Sequence, residues 1–222
     1  MRRILIALLS LALITAACGG DDPEETTTTT EPEVTTTTEP EAATTPTDAD
    51  TTTTVVAGPP SPLNGLPVED ETLLDQRVMA VKLDNHPNAR PQSGIEQADA
   101  VWELLVEGGL TRFIALFHQT DVEYVGPIRS GRPTDPTLAA ITGDSIVISG
   151  AQGWVQSIIR SKGLQIIGEV RPGTFRVSHR SAPHNLYGDT VALRDHAAAL
   201  GVSDEGPSQP LFTWGPLDDA SA

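Results

Sequence analysis

Apolar residues crowd positions 4–14, almost vanish from positions 19–54, and then return with two distinct periods as far as residue 200. In residues 78–84 they alternate, so that Met79, Val81 and Leu83 share one side of an extended segment while Lys82 and Asp84 share the other. A period of two over β-branched residues predicts a strand. Residues 100–107 and 110–118 are two further apolar-rich, strand-like segments and are separated only by Gly108 and Gly109. Both glycines tolerate positive φ, so the pair predicts a β-hairpin closed by a two-residue turn. That turn sets the register: Val106 faces Thr111 and Leu105 faces Arg112. Trp102, Leu104, Val106, Phe113, Ala115 and Phe117 then form a core face, with Glu103, Glu107, Arg112 and His118 on the opposite one. Arg112 becomes the diagonal neighbour of both glutamates at roughly 7–8 Å, within reach of a guanidinium. The expectation is a Glu-Arg-Glu cluster.

Helical spacing marks residues 136–142 and 154–160, and Asp189-Thr190 caps a further helix that runs to Leu200 before Gly201. Short strand-like runs occupy 145–149 and 164–167. Strands in two groups, with helices between and after them, predict an α+β fold: a layered α/β sandwich with a mixed sheet and the Gly-Gly hairpin. Residues 61–202 are enough for one core, and no repeat of solenoid length is visible.

The N-terminal apolar run follows Met1-Arg2-Arg3 and ends in Thr15-Ala16-Ala17 before Cys18. A helix needs about 20 apolar residues to cross a bilayer, so this run is too short and reads as a cleaved signal peptide over residues 1–17. Small residues before the only cysteine resemble a lipobox, with Thr15 where Leu or Val is usual. Acylation of Cys18 would anchor the protein to the cell membrane, on its extracytoplasmic face. A single cysteine leaves no intrachain disulfide, no cysteine-based zinc site and no cysteine nucleophile for the domain.

Residues 18–54 hold ten acidic residues, no basic one and sixteen threonines. Such a segment has little to bury and repels itself, which predicts a disordered stalk over residues 18–60, and its threonines permit O-glycosylation. The formal net charge is −16, and from Val55 onward twenty acidic against twelve basic residues leave −8. An acidic domain on an acidic stalk is a poor binder of nucleic acid or anionic lipid.

Several local signatures follow one another along the folded part. They are Asp84-Asn85-His86-Pro87 running into Ala89-Arg90-Pro91-Gln92-Ser93-Gly94, then Gln97-Ala98-Asp99, then Val106-Glu107-Gly108-Gly109-Leu110-Thr111-Arg112. Val125-Gly126-Pro127-Ile128-Arg129-Ser130-Gly131-Arg132-Pro133 and Ser181-Ala182-Pro183-His184-Asn185-Leu186-Tyr187 complete the set. In this order they resemble the YerB-like family of bacterial lipoproteins, a domain without assigned function, over residues 63–200. The resemblance implies an exported, lipid-anchored layered α/β domain at residues 61–202. In the family a smaller β-rich domain follows, so residues 203–222, with Leu211-Phe212-Thr213-Trp214, are expected to begin a C-terminal domain that is otherwise missing.

Nearly every signature sets an Arg or His beside Pro or Gly, which is how a loop presents a rigid polar tip. Arg90, Arg112, Arg129 and Arg132 form a fork-like receptor for a carboxylate or phosphate if they converge, because guanidinium binds such groups in bidentate fashion. Asp84, His86, Glu103, Glu107, His184 and Asn185 complete the candidate ligand-binding set. The competing reading makes the arginines structural partners of Asp84, Asp99, Glu103 and Glu107. Asp84, His86, Glu103, His179 and His184 carry metal-ligating groups, but no His-Glu-x-x-His motif organises them, and neither metal nor another cofactor is expected.

Glu103 and Glu107 lie about 13 Å apart by strand rise, too far for the roughly 5 Å or 6.5–9.5 Å of a glycosidase pair. No Gly-x-Ser-x-Gly elbow presents a serine, and Gly150-Ala151-Gln152-Gly153 lacks the Lys-Ser/Thr of a phosphate loop. Two functions stand: a cell-surface binding module for a wall component or anionic ligand, or an extracytoplasmic hydrolase with Asp84, Glu103 or His184 as acid or base. The first is favoured, since no nucleophile, metal set or suitably spaced carboxylate pair emerges.

The anchoring expectation is open to direct test. Changing Cys18→Ala should release the protein from membranes into the medium or block its processing, as read by fractionation and N-terminal mass. Unchanged membrane retention with normal processing excludes lipidation.

Overall fold

The computed structural model describes residues 58–168 and 172–213. The expected signal peptide, Cys18, the expected stalk up to residue 57, Arg171 and Trp214 lie outside the described residues. The fold is mixed α+β. Seven strands are described: β1 (Met79–Asp84), β2 (Ala100–Leu105), β3 (Thr111–Phe117), β4 (Ser145–Val147), β5 (Gln165–Ile167), β6 (Thr174–Arg176) and β7 (Leu186–Gly188). Three α-helices accompany them: α1 (Asp135–Thr142), α2 (Gly153–Ser161) and α3 (Thr190–Ala199).

The first five strands make one sheet in the order β2-β3-β1-β4-β5, and β6 pairs with β7 in a separate two-stranded hairpin. β2, β3 and β1 are antiparallel, whereas β4 joins β1 in parallel and β5 joins β4 in parallel. Parallel neighbours require a crossover. Helix α2 supplies it between β4 and β5, as the short apolar runs flanking an amphipathic segment predict.

β1 sits in the middle and is buried at all six positions. Alternation therefore feeds two separate cores. Met79, Val81 and Leu83 join Ala115, Phe117 and, from α3, Leu193 and Ala197. Val78 and Ala80 join Ile114, Leu116, Ala139 of α1, and Val155 and Ile159 of α2. Each face of the sheet is thus packed, and a polar residue on β1 has no solvent to point at.

Lys82 is such a residue. It is fully buried and its Nζ lies 2.6 Å from Oδ1 of Asp135, itself fully buried in the first turn of α1. The other oxygen of Asp135 accepts the amide of Arg132 at 2.7 Å. Burial draws the Lys82 ammonium below its ordinary pKa, and the neighbouring Asp135 offsets only part of this. The pair ties the central strand to the start of α1 across the same face as Ile114 and Ile146.

The hairpin between β2 and β3 departs from the two-residue turn. Glu107–Gly109 forms a tight three-residue turn with both glycines in the left-handed region at φ 71°, and the amide of Val106 donates to the carbonyl of Leu110 at 2.8 Å. Three residues are looped out. Glu103 consequently pairs with Phe113, Leu104 with Arg112, and Leu105 with Thr111. A slip of one residue exchanges faces, so Trp102 and Leu104 lie with Ile114 and Arg112, while Glu103 lies with Phe113. The Glu-Arg-Glu cluster is not formed. The pattern could not choose between the two registers because β3 is buried on both sides. Ile114 and Leu116 are as apolar as Phe113, Ala115 and Phe117.

Described residues of the 203–213 segment return to the domain. The amide of Leu211 donates to the carbonyl of Pro62 at 2.8 Å, and its side chain packs against the α1/α2 core.

Removing one partner of the buried pair should expose its cost. Lys82→Met leaves Asp135 charged and buried, and urea unfolding should show a loss of about 3–5 kcal/mol. Combining it with Asp135→Asn should recover a large part, since the replacement is neutral and its amide oxygen still accepts the Arg132 amide. A Lys82→Met protein of unchanged stability excludes a structural role for the pair.

Candidate functional site

The site grows from the ends of β1 and β3 and from the loop that crosses them. The amide of Asp84 donates to Pro127, that of Arg129 to the carbonyl of Lys82, that of Ser149 to Arg129, and that of Gly131 to Gly150, all within 2.8–3.1 Å. The loop at 127–133 is therefore laid along β1 and the end of β4. Gly131 sits close under the core here, since a Cβ there would stand 3.2 Å from a methyl of Ile148, which would have to give by a few tenths of an ångström.

This stitching places three guanidiniums together. Arg129 Nε lies 2.8 Å from Oδ2 of Asp84. The contact lacks hydrogen-bond direction, so that buried N–H stays unsatisfied while the charges remain paired. Arg132 Nε meets Oε2 of Glu107 at 2.7 Å on the exposed rim. Arg112, opposite Asp84 in the strand register, donates to the carbonyl of Ser130 at 2.7 Å and is only 8% exposed. Among the described residues no carboxylate lies within 4 Å of it. Burial lowers the Arg112 pKa, and the charges of Arg132 and Arg129 lower it further, although a guanidinium stays protonated through such shifts.

Asp84 is the anion at the centre. Oδ2 also meets Nδ1 of His184 at 2.8 Å, and Oδ1 accepts the amide of His86. Burial would raise its pKa, but the His86 amide, the hydrogen bond from His184 and the charge of Arg129 outweigh that and hold the carboxyl below its usual value. The His86 and His184 rings stack at 5.0 Å with 22° between their planes. His86 accepts the Asn88 amide on Nδ1 and so caps the short turn that follows. Hydrogen bonding from Arg132 likewise lowers the pKa of Glu107.

Asp84, His86, Glu107, Arg112, Arg129, Arg132 and His184 thus lie in one connected group with Lys82 and Asp135 beneath it. The remaining candidates fall outside. Arg90 and Glu103 belong to a network around Asn85: Arg90 Nε donates to Asn85 Oδ1 at 2.9 Å, and Thr111 Oγ1 bridges Asn85 and Glu103 at 2.6 Å to each. Glu103 is turned to the opposite face from Arg112 by the register. Asn185 turns to Arg176, which donates to its Oδ1 at 2.6 Å. Arg180 fastens the neighbouring loop by donating to the carbonyls of Asn88 and Pro91.

Sequence reading did not single out Lys82, Asp135, Gln152 or Trp154 for the site. A charged residue inside an apolar strand was the available signal for Lys82, and an acidic residue opening a helix beside Pro136 was the signal for Asp135. Trp154, 56% exposed, and Gln152 line a cavity of about 150 Å³ with Glu107, Gly131, Arg132, Pro133 and Val155. A wider depression of about 540 Å³ between the α2–β5 turn and the end of α3 contains none of the clustered arginines. Among the described residues no three His, Cys, Asp or Glu are grouped to hold a metal ion.

Residues 63–203 match the family model described as "Protein of unknown function (DUF3048) N-terminal domain". The putative lipoprotein YerB of Bacillus subtilis (strain 168) is 36% identical over 159 residues, which is 68% of this chain and 46% of that protein. The crystal structure of the YerB protein from Bacillus subtilis superposes with a TM-score of 0.64 at 32% identity, covering 70% of this chain and 54% of that one. The chain therefore spans about half the length of these relatives. By these matches the chain belongs to the YerB-like family, whose DUF3048 N-terminal domain it carries.

Proposed function

We propose that this domain is a lipid-anchored, extracytoplasmic binding module whose arginine cluster takes an anionic group, a carboxylate or phosphate of a cell-envelope component. The observation that carries the reading is Arg112, a nearly buried cation without a carboxylate within 4 Å and flanked by two further guanidiniums. Lys82, Arg112, Arg129 and Arg132 face Asp84, Glu107 and Asp135, so the cluster has an excess of positive charge inside a part of the chain that is acidic as a whole. Asp84 and Glu107 moderate the charge of Arg112 without touching it, and an incoming anion adds the direct contact that neither of them makes. Arginine suits this task because its planar fork meets two oxygens at once.

The hydrolase reading has one observation in its favour, the Asp84 carboxylate that orients His184. Two others weigh against it. Asp84 is shared with Arg129, and among the described residues no serine or threonine hydroxyl hydrogen-bonds His184.

Arg112→Met separates binding from structure. It removes a hydrogen bond to Ser130 but also relieves repulsion from Arg129 and Arg132, so stability in urea should change by no more than about 1 kcal/mol. Titration with inorganic phosphate, and with soluble fragments of the wall, should show at least about a tenfold loss of affinity, as expected for one lost charge-assisted contact. Equal binding by the unmutated chain and Arg112→Met excludes this site.

A further inference from the structure

The cavity beside Arg132 has a wall that anion binding leaves unexplained. Trp154 stands in the first turn of α2 and is more than half exposed, beside the charged Arg132–Glu107 pair and Pro133. Its indole N–H is already used, donating to Oε1 of Gln152 at 2.5 Å. Gln152 occupies the cap position of α2 yet makes no side-chain hydrogen bond to the helix. Its carbonyl holds the indole in place instead. A fixed aromatic ring whose polar edge is satisfied has only its faces left to offer a partner.

The faces of an aromatic ring carry negative charge density, and they attract the weakly positive C–H groups on the underside of a sugar ring. Glu107 Oε atoms can accept from hydroxyls at the rim, Arg132 lies in the cavity wall, and Arg112 stands behind the wall, donating to the same Ser130 carbonyl as Arg132. The cavity is smaller than the 300–1,000 Å³ of drug-sized sites, which suits a single ring of a longer chain. The acidic balance of the domain argues against a nucleic-acid base as the stacked ring. Resting on the anion-site reading, we infer that this cavity is a subsite for a carboxylate-bearing pyranose, stacked on Trp154 with its carboxylate toward Arg132.

Calorimetric titration of the full chain tests this with four probes: N-acetylmuramic acid, D-glucuronic acid, N-acetylglucosamine and D-lactate. The acidic sugars should bind about tenfold more tightly than either the neutral sugar or lactate, the equilibrium counterpart of one aromatic contact. Preference for one acidic sugar over the other distinguishes a peptidoglycan source from a uronic acid polymer. Trp154→Ala should reduce both acidic sugars to the affinity of lactate without altering lactate binding, and Trp154→Phe should restore most of the difference. Acidic sugars that bind no better than lactate, or that bind Trp154→Ala unchanged, overturn the stacking subsite while leaving the anion site standing. Failure of every anion, including phosphate, to bind overturns both.

Discussion

The fully buried ion pair between Lys82 and Asp135 is the interaction on which the arrangement of the site rests. It joins the central strand to the first turn of α1, and the second oxygen of Asp135 holds the backbone of Arg132. Between these points lies the loop at 127–133, bonded along β1 through Asp84 and Arg129. A salt bridge in such a place contributes little net stability, because desolvation costs nearly as much as the attraction returns. Its value is geometric. With both charges committed, the strand end and the loop keep one spacing, and that spacing brings Arg112, Arg129 and Arg132 into one another's field.

The second constraint follows from the first. Three guanidiniums close together repel, and the cluster persists because Asp84 and Glu107 neutralise two of them from opposite sides. Asp84 sits deep and is held by the His86 amide, His184 and Arg129. Glu107 reaches in from the hairpin tip. Arg112 feels both carboxylates at a distance, but its hydrogen bond goes to the Ser130 carbonyl. The local field is therefore positive and directed, although the chain as a whole carries −16. Overall charge governs long-range encounter, while a recessed cluster governs what fits once contact is made.

The family match connects this organisation to YerB of Bacillus subtilis without supplying an activity. At 32% identity and a TM-score of 0.64 the crystal structure of that protein shares the fold. The clustered site residues lie within the 63–203 segment that matches the family model.

Local pattern located every long element. Alternation gave β1, apolar runs joined by Gly108-Gly109 gave β2 and β3, helical spacing and capping gave α1, α2 and α3, and the strands at 145–147 and 165–167 fell within the predicted runs. The signatures around Asp84, Arg112, Arg129, Arg132 and His184 were also legible, since polar residues fixed by Pro and Gly stand out against an apolar background. The register of the hairpin was not. A strand buried on both faces has no polar side to break the symmetry, so Phe113 and Ile114 were equally good core residues until the three-residue turn was known. That turn separated Glu103 from Arg112. The hairpin of β6 and β7 was hidden for a related reason, being three residues long on each side. Lys82 and Asp135 are 53 positions apart, and Arg132 and Trp154 are 22 apart. Local sequence fixes the conformation of each segment, but which distant charges meet depends on how the crossovers pack, and that is decided only by the tertiary structure.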